Sequence, residues 1–510
     1  MIAHLPALAV VVPLLFAALI LLVERRGIAA QRAFGWTGMA LLVGIAGALV
    51  VQADDGAIRL YLLGDWPARL GITLVADRLS ALLVLTTALL AAACLLHASS
   101  GWDRRALHFH ALFQVQLAGL NGAFLTGDLF NLFVFFEVML IASYGLLLSG
   151  GRGTRMRAGL HYVVFNITAS TLFLIALGLL YGLLGTLNMA EMALRVATAS
   201  PQDVALIRAA SGVLLVVFCG KAALLPLYLW LPGTYSRAPA AVVALFAIMT
   251  KVGVYGVLRI YTLVFGELAG PLAGWAWDWV LPAGLATLVL ASLGTLAATT
   301  LRMQAAYLVV ASAATLFIAF ALATPAAIGA GLYYLLHSTF IAAALFLIGD
   351  LVRQQRGPIG ELLDSAAPLQ RAALLGGLYG VAAVSIVGLP PLSGFIGKLM
   401  ILDAAPVGPR GWVWAVVLIT SLLTLVALAR TASQVFWRAE PWPADLARPA
   451  RVEPLQLAGA GLLLAYGIAL VIGGGGAVRY TRAAADQVMA PANYIDAARA
   501  ATPQLRAPSP

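Results

Sequence analysis

Long apolar stretches, separated by short polar segments, make up most of this chain of 510 residues. Each stretch is close to, or longer than, the ~20 residues that an α-helix needs to cross a bilayer. We therefore predict an all-α polytopic membrane protein with about fourteen membrane-spanning helices. The predicted spans are residues 6–23, 34–51, 78–97, 107–125, 128–149, 160–184, 205–231, 238–265, 279–299, 303–322, 326–350, 371–403, 411–436 and 455–478.

Three segments outside the spans have patterns of their own. Residues 52–77 alternate weakly between apolar and polar positions and contain the turn sequence Gly-Asp-Trp-Pro, so we predict an exposed hairpin. Residues 188–203 could form a short helix that lies along the surface. The segment beyond residue 480 is rich in alanine and proline, and we expect it to be loosely ordered.

Composition excludes a soluble protein, because 62% of the residues are hydrophobic, only 10% are charged, and the mean hydropathy is +0.97. The net charge of +10 does not indicate nucleic-acid binding, since nearly all arginines lie between the apolar stretches. The expected surroundings are a lipid bilayer, with no nucleic-acid partner. The first span has no basic residue before it and is predicted to be a retained helix.

Loop charge predicts the orientation. Most arginines lie in every second connection, which predicts cytoplasmic loops there and both termini outside. Arg479 and Arg482, in the C-terminal tail, count against this orientation. The predicted cytoplasmic connections are 24–33, 98–106, 150–159, 232–237, 300–302, 351–370 and 437–454.

Lysine is confined to the spans. Only three of the 31 basic residues are lysines, namely Lys221, Lys251 and Lys398, and each lies in an apolar stretch. A buried lysine can lose its proton whereas an arginine keeps it, so lysine suits a proton-carrying site. A codon bias toward arginine explains the connections but not these three positions. Lys251 also lies too deep in its span for snorkelling to be the simpler interpretation.

One carboxylate and two histidines accompany the lysines. Asp128 is suited to cap the fifth span, and Glu137 follows nine residues later, about 14 Å deeper at ~1.5 Å per residue. An acid at mid-membrane indicates function, and an ion pair with Lys221 explains both residues better than a neutral, hydrogen-bonded acid. His337 suits proton passage near neutrality, whereas for His161 a relay role and a purely structural role are equally open.

Prolines interrupt two of the lysine-bearing spans. Pro226 follows Lys221 by five residues, and Pro390 and Pro391 precede Lys398. Because proline removes a backbone donor, both spans are predicted to break and to act as hinges that admit water. Matching breaks in two halves indicate inverted five-helix repeats formed by helices 4–8 and 9–13. The predicted parts are 1–106 with the hairpin, a first proton-channel repeat at 107–265, a second at 273–436, and the last helix with its tail at 437–510.

Other chemistries find no support in the sequence. It has no Walker loop, no dinucleotide-binding glycine pattern and no Cys or His cluster, so neither a cofactor nor a metal site is predicted. Cys94 and Cys219 lie in apolar stretches and offer no disulfide framework. A dedicated sodium site requires several oxygen ligands, so a single embedded carboxylate favours protons. No role is predicted for the helix-end residues Asp350 and Asp403, or for the hydroxyls of Thr168, Ser170, Ser312, Thr315 and Ser338.

Four segments are similar to one known family. They are GDLFNLFVFFEVMLIASYGLLLSG, KAALLPLYLWLPGTYSRAPAAVVALFAIMTKVGVYGVLRIY, LLYGLLGTLNMAEMA and GLPPLSGFIGKL. Together they resemble the antiporter-like subunits of respiratory complex I and of the Mrp-type multisubunit cation/proton antiporters, over nearly all fourteen spans. The phrases FNLFVFFEV and LGTLNMA favour the D-type subunits of the Mrp branch.

The resemblance implies a proton relay made of residues already singled out. In chain order its members are Glu137, Lys221, Lys251, His337 and Lys398. Glu137 of the fifth helix pairs with Lys221 of the broken seventh helix, and Lys398 of the broken twelfth helix ends the line. His161 stands where relatives often carry lysine, which puts its relay role in doubt.

The resemblance also implies a function and partners. We expect a proton-translocating subunit of a hetero-oligomeric Na⁺ or K⁺/H⁺ antiporter in the inner membrane of a bacterium. The rival hypothesis is a proton-pumping subunit of an NADH:quinone oxidoreductase or a membrane-bound hydrogenase, driven by redox chemistry in other subunits. A third hypothesis, a structural subunit without transport, conflicts with the survival of three buried lysines.

Overall fold

A computed structural model describes residues 2–67, 71–151, 153–364, 369–438 and 452–501. Helical structure occupies all fourteen predicted spans. Among the described residues, twelve helical stretches are long and apolar enough to cross a membrane, and one of them, 240–263, consists of two helices. Parts of the connections predicted at 150–159, 351–370 and 437–454, including Arg152, and the end of the C-terminal tail lie outside the described residues.

The N-terminal part consists of three helices and a hairpin. The helices are α1 (Leu5–Leu22), α2 (Ile28–Ala53) and α3 (Arg78–Ala98). Strands β1 (Arg59–Leu62) and β2 (Thr73–Ala76) pair antiparallel between α2 and α3, with Arg59 opposite Ala76. The predicted hairpin is therefore present, but all four residues of β2 are buried, so the expectation of an exposed hairpin is wrong for this strand. Asp77 then begins α3 as its N-cap, because its side chain accepts a hydrogen bond from the Ser80 backbone.

Eight helices follow, and two of the spans they form are interrupted. They are α4 (Phe109–Leu125), α5 (Leu129–Leu148), α6 (Thr154–Leu184), α7 (Met189–Ala197), α8 (Val204–Lys221), α9 (Trp230–Tyr235), α10 (Ala240–Phe246) and α11 (Met249–Leu263). Helix α7 confirms the short helix predicted at 188–203 and buries one face. The seventh span is α8 and α9, separated by 222–229, and the eighth is α10 and α11, separated by 247–248.

Six further helices contain the second broken lysine-bearing span. They are α12 (Trp277–Ala297), α13 (Leu301–Ala321), α14 (Pro325–Gln355), α15 (Ala372–Val387), α16 (Ser393–Asp403) and α17 (Val407–Ala432). The twelfth span is α15 and α16, separated by 388–392. Helix α14 has 31 residues, about 46 Å at ~1.5 Å per residue, so it exceeds the thickness of the bilayer core. It runs through the buried centre of the bundle.

The last described part of the chain, from residue 452, contains the last span and two further helices. They are α18 (Pro454–Ile472), α19 (Gly474–Val488) and α20 (Pro491–Ala500). The expectation of a loosely ordered tail beyond residue 480 is therefore wrong for residues 481–500, most of which are helical. Helix α19 buries Ala484, Ala485 and Val488, and Gln487 joins it to the start of the chain. The Gln487 side chain accepts a hydrogen bond from the Arg78 backbone at 3.0 Å and donates one to the Gly56 carbonyl at 2.8 Å.

One end of the bundle gathers the hairpin, α7, α19 and α20, and encloses a buried ion pair. Arg259 Nη2 of α11 lies 2.6 Å from Asp77 Oδ2, and both side chains are at most 5% exposed. The Tyr494 ring of α20 covers the guanidinium, with its centroid 5.5 Å away. Burial removes the hydration of both charges, so a buried pair is stable only when other hydrogen bonds and its surroundings compensate for this loss. Here α20 covers the pair and excludes water.

The opposite end of the bundle contains a second buried carboxylate. Asp103, in the turn Trp102–Arg104, accepts hydrogen bonds from Arg32 at 2.6 and 2.9 Å and contacts His110 at 3.1 Å. Burial by itself raises the pKa of Asp103, but the hydrogen bonds from Arg32 and His110 outweigh it and lower the pKa to about 2. The carboxylate thus ties α2 and α4 to the connection between α3 and α4.

Close backbone contact brings the two central lysine-bearing helices together. A Cβ atom at Gly253 of α11 would lie 2.7 Å from the Phe218 carbonyl oxygen and 2.9 Å from the Ala222 nitrogen. Only glycine allows α11 to approach the end of α8 this closely. This contact positions Lys221 and Lys251 on touching helices.

Candidate functional site

Glu137 is linked to Lys221 through a serine. Asp128 caps α5 as predicted, because its side chain accepts a hydrogen bond from the Asn131 backbone at 2.8 Å. Nine residues further along α5, Glu137 Oε1 accepts a hydrogen bond from the hydroxyl of Ser170 on α6. Lys221 Nζ of α8 donates to the same Ser170 oxygen at 3.4 Å. Instead of the direct ion pair expected from the sequence, the two charged groups share one hydroxyl.

Lys221 lies where the seventh span breaks. It is the last residue of α8 and is 5% exposed. Its Nζ atom also lies 5.0 Å from the centre of the Phe136 ring, a cation–π distance. The helix ends here because Ala223 adopts a left-handed φ of 61° and Pro226 cannot donate a backbone hydrogen bond. Lys221 therefore ends the first half-helix of the seventh span, and the carbonyl end of a helix favours a nearby cation.

Lys251 is buried at the centre of the bundle. It lies in the first turn of α11 and is 0% exposed. Its Nζ atom donates to Ser312 Oγ of α13 at 2.9 Å, and the Ser312 hydroxyl donates in turn to the Val309 carbonyl at 2.8 Å. The side chain does not snorkel, because its amine ends on a neighbouring helix inside the protein.

His337 contacts the start of the second half of the twelfth span. Its Nδ1 atom lies 2.9 Å from the hydroxyl of Ser393, the first residue of α16. Its Nε2 atom is buried and has no hydrogen-bond partner among the described residues. Gly394 makes this contact possible, because a Cβ atom there would lie 2.8 Å from His337 Nε2 and 1.8 Å from the Ser385 carbonyl oxygen.

Lys398 binds the carbonyl end of α15. Its Nζ atom donates to the carbonyl oxygens of Val387 at 2.8 Å and Ile386 at 3.2 Å, and to Ser421 Oγ of α17 at 2.9 Å. The last carbonyls of a helix have no intrahelical partner, so the amine satisfies two of them. A cavity of about 20 Å³ adjoins the amine, enough for about one water molecule. Its polar lining includes Ser292, Thr315, Tyr334, Thr420, Ser421 and Thr424.

The three hinge prolines lie in the two breaks. Pro226 is exposed in the segment between α8 and α9, and Pro390 and Pro391 are exposed between α15 and α16. The peptide bonds before Pro226 and Pro391 are cis. In the seventh span, Lys221 is the last residue of the first half-helix, and in the twelfth span the Lys398 amine bonds to the carbonyl end of the first half-helix.

His161 is not brought together with the other candidates. It is exposed on α6 between Leu160, which is 61% exposed, and Val164, which is 55% exposed. It precedes Ser170 by nine residues, a rotation of about 180° at ~100° per residue, so the two side chains leave opposite sides of α6. Ser170 occupies the side that contacts Glu137 and Lys221.

Sequence reasoning missed the hydroxyl groups. Each of the four candidate nitrogen groups other than His161 has a serine partner on another helix or half-helix. The partners of Lys221, Lys251, His337 and Lys398 are Ser170, Ser312, Ser393 and Ser421, respectively. Serine is common in membrane helices, so no signal in the sequence separates these four from the rest. Asp350 behaves as expected for a helix-end residue, since it binds Arg353 and Gln354 near the end of α14.

The chain is similar to known proteins along almost its whole length. Residues 126–424 match the family described as "NADH:quinone oxidoreductase/Mrp antiporter, TM". The D subunit of a probable K⁺/H⁺ antiporter of Rhizobium meliloti is 37% identical over 97% of each chain. The D subunit of an Na⁺/H⁺ antiporter of Bacillus subtilis is 34% identical over 96% of this chain and 98% of that protein. A chain in the structure of the Mrp complex from Dietzia sp. DQ12-45-1b has a TM-score of 0.87 and 29% identity, and the match covers 98% of this chain and 99% of that chain.

The chain belongs to the family of antiporter-like membrane subunits that NADH:quinone oxidoreductases share with Mrp antiporters. Its all-helical fold is the fold of that family. Within the family it is a D-type subunit of the Mrp branch, which makes it a multi-pass transporter subunit of the cell membrane. The family, the fold class and the transporter class predicted from the sequence are confirmed.

Proposed function

We propose that this subunit translocates protons within a multisubunit antiporter that exchanges Na⁺ or K⁺ for H⁺. One observation carries the proposal. Four buried or half-buried nitrogen groups on four spans each have a hydroxyl partner on another helix, and one of them is linked to Glu137. Ionisable groups at such depth are costly unless they serve transport. The antiport named for the relatives in Rhizobium meliloti and Bacillus subtilis supports the two candidate cations.

In the proposed mechanism, a proton moves along a line of residues from five spans. Its members are Glu137, Lys221, Lys251, His337 and Lys398. Amines, imidazole and carboxylate can each bind and release a proton when their surroundings change. The Glu137–Lys221 pair switches between a closed state, joined through Ser170, and an open state. His161 is left out of the line, because it lies on the other side of α6.

The proposed channels are two inverted repeats, residues 107–265 and 273–436. The broken spans support this division, because each has a lysine at its break. Lys221 ends the first half-helix of one span, and the Lys398 amine bonds to the end of the first half-helix of the other. Pro226 in one break, and Pro390 with Pro391 in the other, are proposed as hinges that admit water to each half-channel.

The exposed side chains of the subunit also indicate what surrounds it in the membrane. Helices at the edge of the bundle expose apolar side chains to lipid or to neighbouring subunits, as Ile141 (64%) and Trp412 (74%) do. We propose a hetero-oligomeric antiporter complex in the bacterial inner membrane. The arginine-rich connections support a cytoplasmic position for the end of the bundle that contains Asp103, with both termini outside.

Proton flux in vesicles that contain the whole antiporter complex tests the proposal. An imposed Na⁺ or K⁺ gradient should drive proton movement in the wild type, without any electron donor. Lys221→Ala should abolish it. Lys221→Arg should abolish it as well, because arginine keeps the positive charge but does not release its proton.

Thr171→Ala is the matched control, since Thr171 is exposed on α6 and its hydroxyl donates to the Ile167 carbonyl of its own helix. This variant should transport like the wild type. Full ion-driven flux in assembled Lys221→Ala complexes would contradict the proposal. Flux that appears only with an electron donor would instead support the redox-driven hypothesis.

A further inference from the structure

We propose that Ser170 is the proton bridge between Lys221 and Glu137. The inference rests on the proposed function of these two residues in proton translocation. It adds an uncharged residue to the relay. Nothing in the sequence distinguishes the Ser170 hydroxyl from other hydroxyls in the membrane helices.

The directions of the hydrogen bonds define the bridge. Lys221 has only donors to offer as an ammonium ion, and an ionised carboxylate only accepts. Ser170 therefore accepts from Lys221 Nζ, 3.4 Å away, and gives its single hydrogen to Glu137 Oε1. Three groups from α5, α6 and α8 thus form one directed chain of donors and acceptors. No direct Lys221–Glu137 hydrogen bond is found between these two described residues.

Neighbouring hydroxyls on α6 are used differently. Thr168 donates to the Val164 carbonyl at 2.9 Å, and Thr171 donates to the Ile167 carbonyl at 3.0 Å. Both are the usual bonds of a hydroxyl to the preceding turn of its own helix. Ser170, 8% exposed, instead directs its hydrogen to another helix. Its hydroxyl therefore bonds to the charged pair rather than to the backbone.

The bridge allows a proton to pass without water. An N–H bond of the Lys221 ammonium breaks as an O–H bond forms on Ser170, and the original Ser170 O–H bond breaks as an O–H bond forms on Glu137. The products are a neutral amine and a neutral carboxylic acid, so the net charge and the number of atoms are unchanged. The starting arrangement is restored when Glu137 releases its proton, the Ser170 hydroxyl rotates back toward Glu137, and Lys221 binds a new proton.

Three variants of the whole complex in vesicles test the bridge, with Lys221→Ala as reference. Ser170→Ala should lower ion-driven proton flux by about tenfold or more, since a lost hydrogen bond to a charged group has an effect of that order. Ser170→Thr should stay within about threefold of the wild type, because the threonine hydroxyl has the same single donor and the same acceptor capacity. Thr171→Ala should match the wild type.

The flux measurements distinguish a failure of the bridge at Ser170 from a failure of the whole relay. If Lys221→Ala abolishes flux and Ser170→Ala transports like Thr171→Ala, the bridge is refuted and the relay stands. If Lys221→Ala transports normally, the relay itself is refuted.

An infrared measurement covers the case in which both Ser170 variants lose flux. The carboxyl band of Glu137 is identified as the band that Glu137→Gln removes from the assembled complex. Ser170→Ala should shift this band, because the hydroxyl contacts the carboxyl group directly. An unchanged band refutes the bridge whatever the flux.

Discussion

The Nζ atom of Lys398 lies 2.8 Å from the carbonyl oxygen of Val387, across the break in the twelfth span. Val387 ends α15, and Lys398 belongs to α16, so the amine joins the two halves of the span that contains it. One side chain thus has two tasks. It satisfies the free carbonyls of a helix end inside the membrane, and it is the last member of the proposed relay.

Substitutions at Lys398 can separate these tasks. Lys398→Arg keeps the positive charge and several donors, so the two half-helices should stay joined and the complex should remain as stable as the wild type to heating. Its proton flux should nevertheless be lost, since arginine does not release a proton. Lys398→Met should lose both flux and thermal stability, because buried carbonyls are left without a donor.

Flux in vesicles and size-exclusion profiles after heating measure the two effects. Transport by Lys398→Arg at the wild-type rate would show that Lys398 serves only to join α15 and α16.

Gly394 is the second site where a single change should be decisive. A Cβ atom in Gly394→Ala would lie 1.8 Å from the Ser385 carbonyl oxygen and 2.8 Å from His337 Nε2. We expect α16 to shift, the His337–Ser393 hydrogen bond to break, and flux to fall by about tenfold or more, as for other overpacked sites that displace a reacting group.

Gly380→Ala on α15 is the control. A Cβ atom at Gly380 has no neighbour within 4 Å, so alanine should be neutral or should stabilise the helix by about 0.5–1 kcal/mol. Equal flux in both variants would contradict the close contact between α16 and His337.

Asp103 predicts a dependence of stability on pH. Its pKa is lowered to about 2 in the folded protein, below the ordinary value of 3.8. The group therefore stabilises the fold above about pH 4, and this contribution is lost as pH falls toward 2, where the carboxylate becomes protonated in both states. Asp103→Asn should lower the stability of the complex by about 3 kcal/mol at pH 7, because it leaves Arg32 without its buried partner.

The difference between wild type and Asp103→Asn should shrink as pH is lowered from about 4 to about 2, measured by loss of the complex from size-exclusion profiles on heating. Asp55→Asn is the control, because the Asp55–Arg59 pair is exposed and exposed pairs contribute little. A difference that stays constant over this pH range would indicate that Asp103 acts through packing rather than through its charge.

The sequence alone was sufficient to identify the residues whose burial costs free energy. A lysine in an apolar stretch has few explanations, so Lys221, Lys251 and Lys398 could be singled out before any contact was known. Ser170 and Ser312 could not, because a membrane helix can satisfy a serine hydroxyl on its own backbone, as it does for the hydroxyl of Thr168. Which hydroxyl faces a charged group depends on the rotation and packing of helices, and the linear pattern does not contain that information.

The C-terminal helices were missed for another reason. Helix α19 has the sequence GGGAVRYTRAAADQV, which lacks the apolar run of a span and contains no strong cap. Its helical structure depends on packing against α14 and on the hydrogen bonds of Gln487 to Gly56 and Arg78. Contacts so distant along the chain have no local signature.

Those contacts also set the order in which the molecule is completed. Arg78 and Gln487 are 409 residues apart, and Tyr494 follows later still. All fourteen spans have therefore been synthesised before α19 and α20 leave the ribosome. Until then, the Asp77–Arg259 pair has no Tyr494 ring above it, and this end of the bundle is open to water. This end of the bundle is therefore closed only after the fourteen spans have been made, by residues more than 400 positions after Asp77.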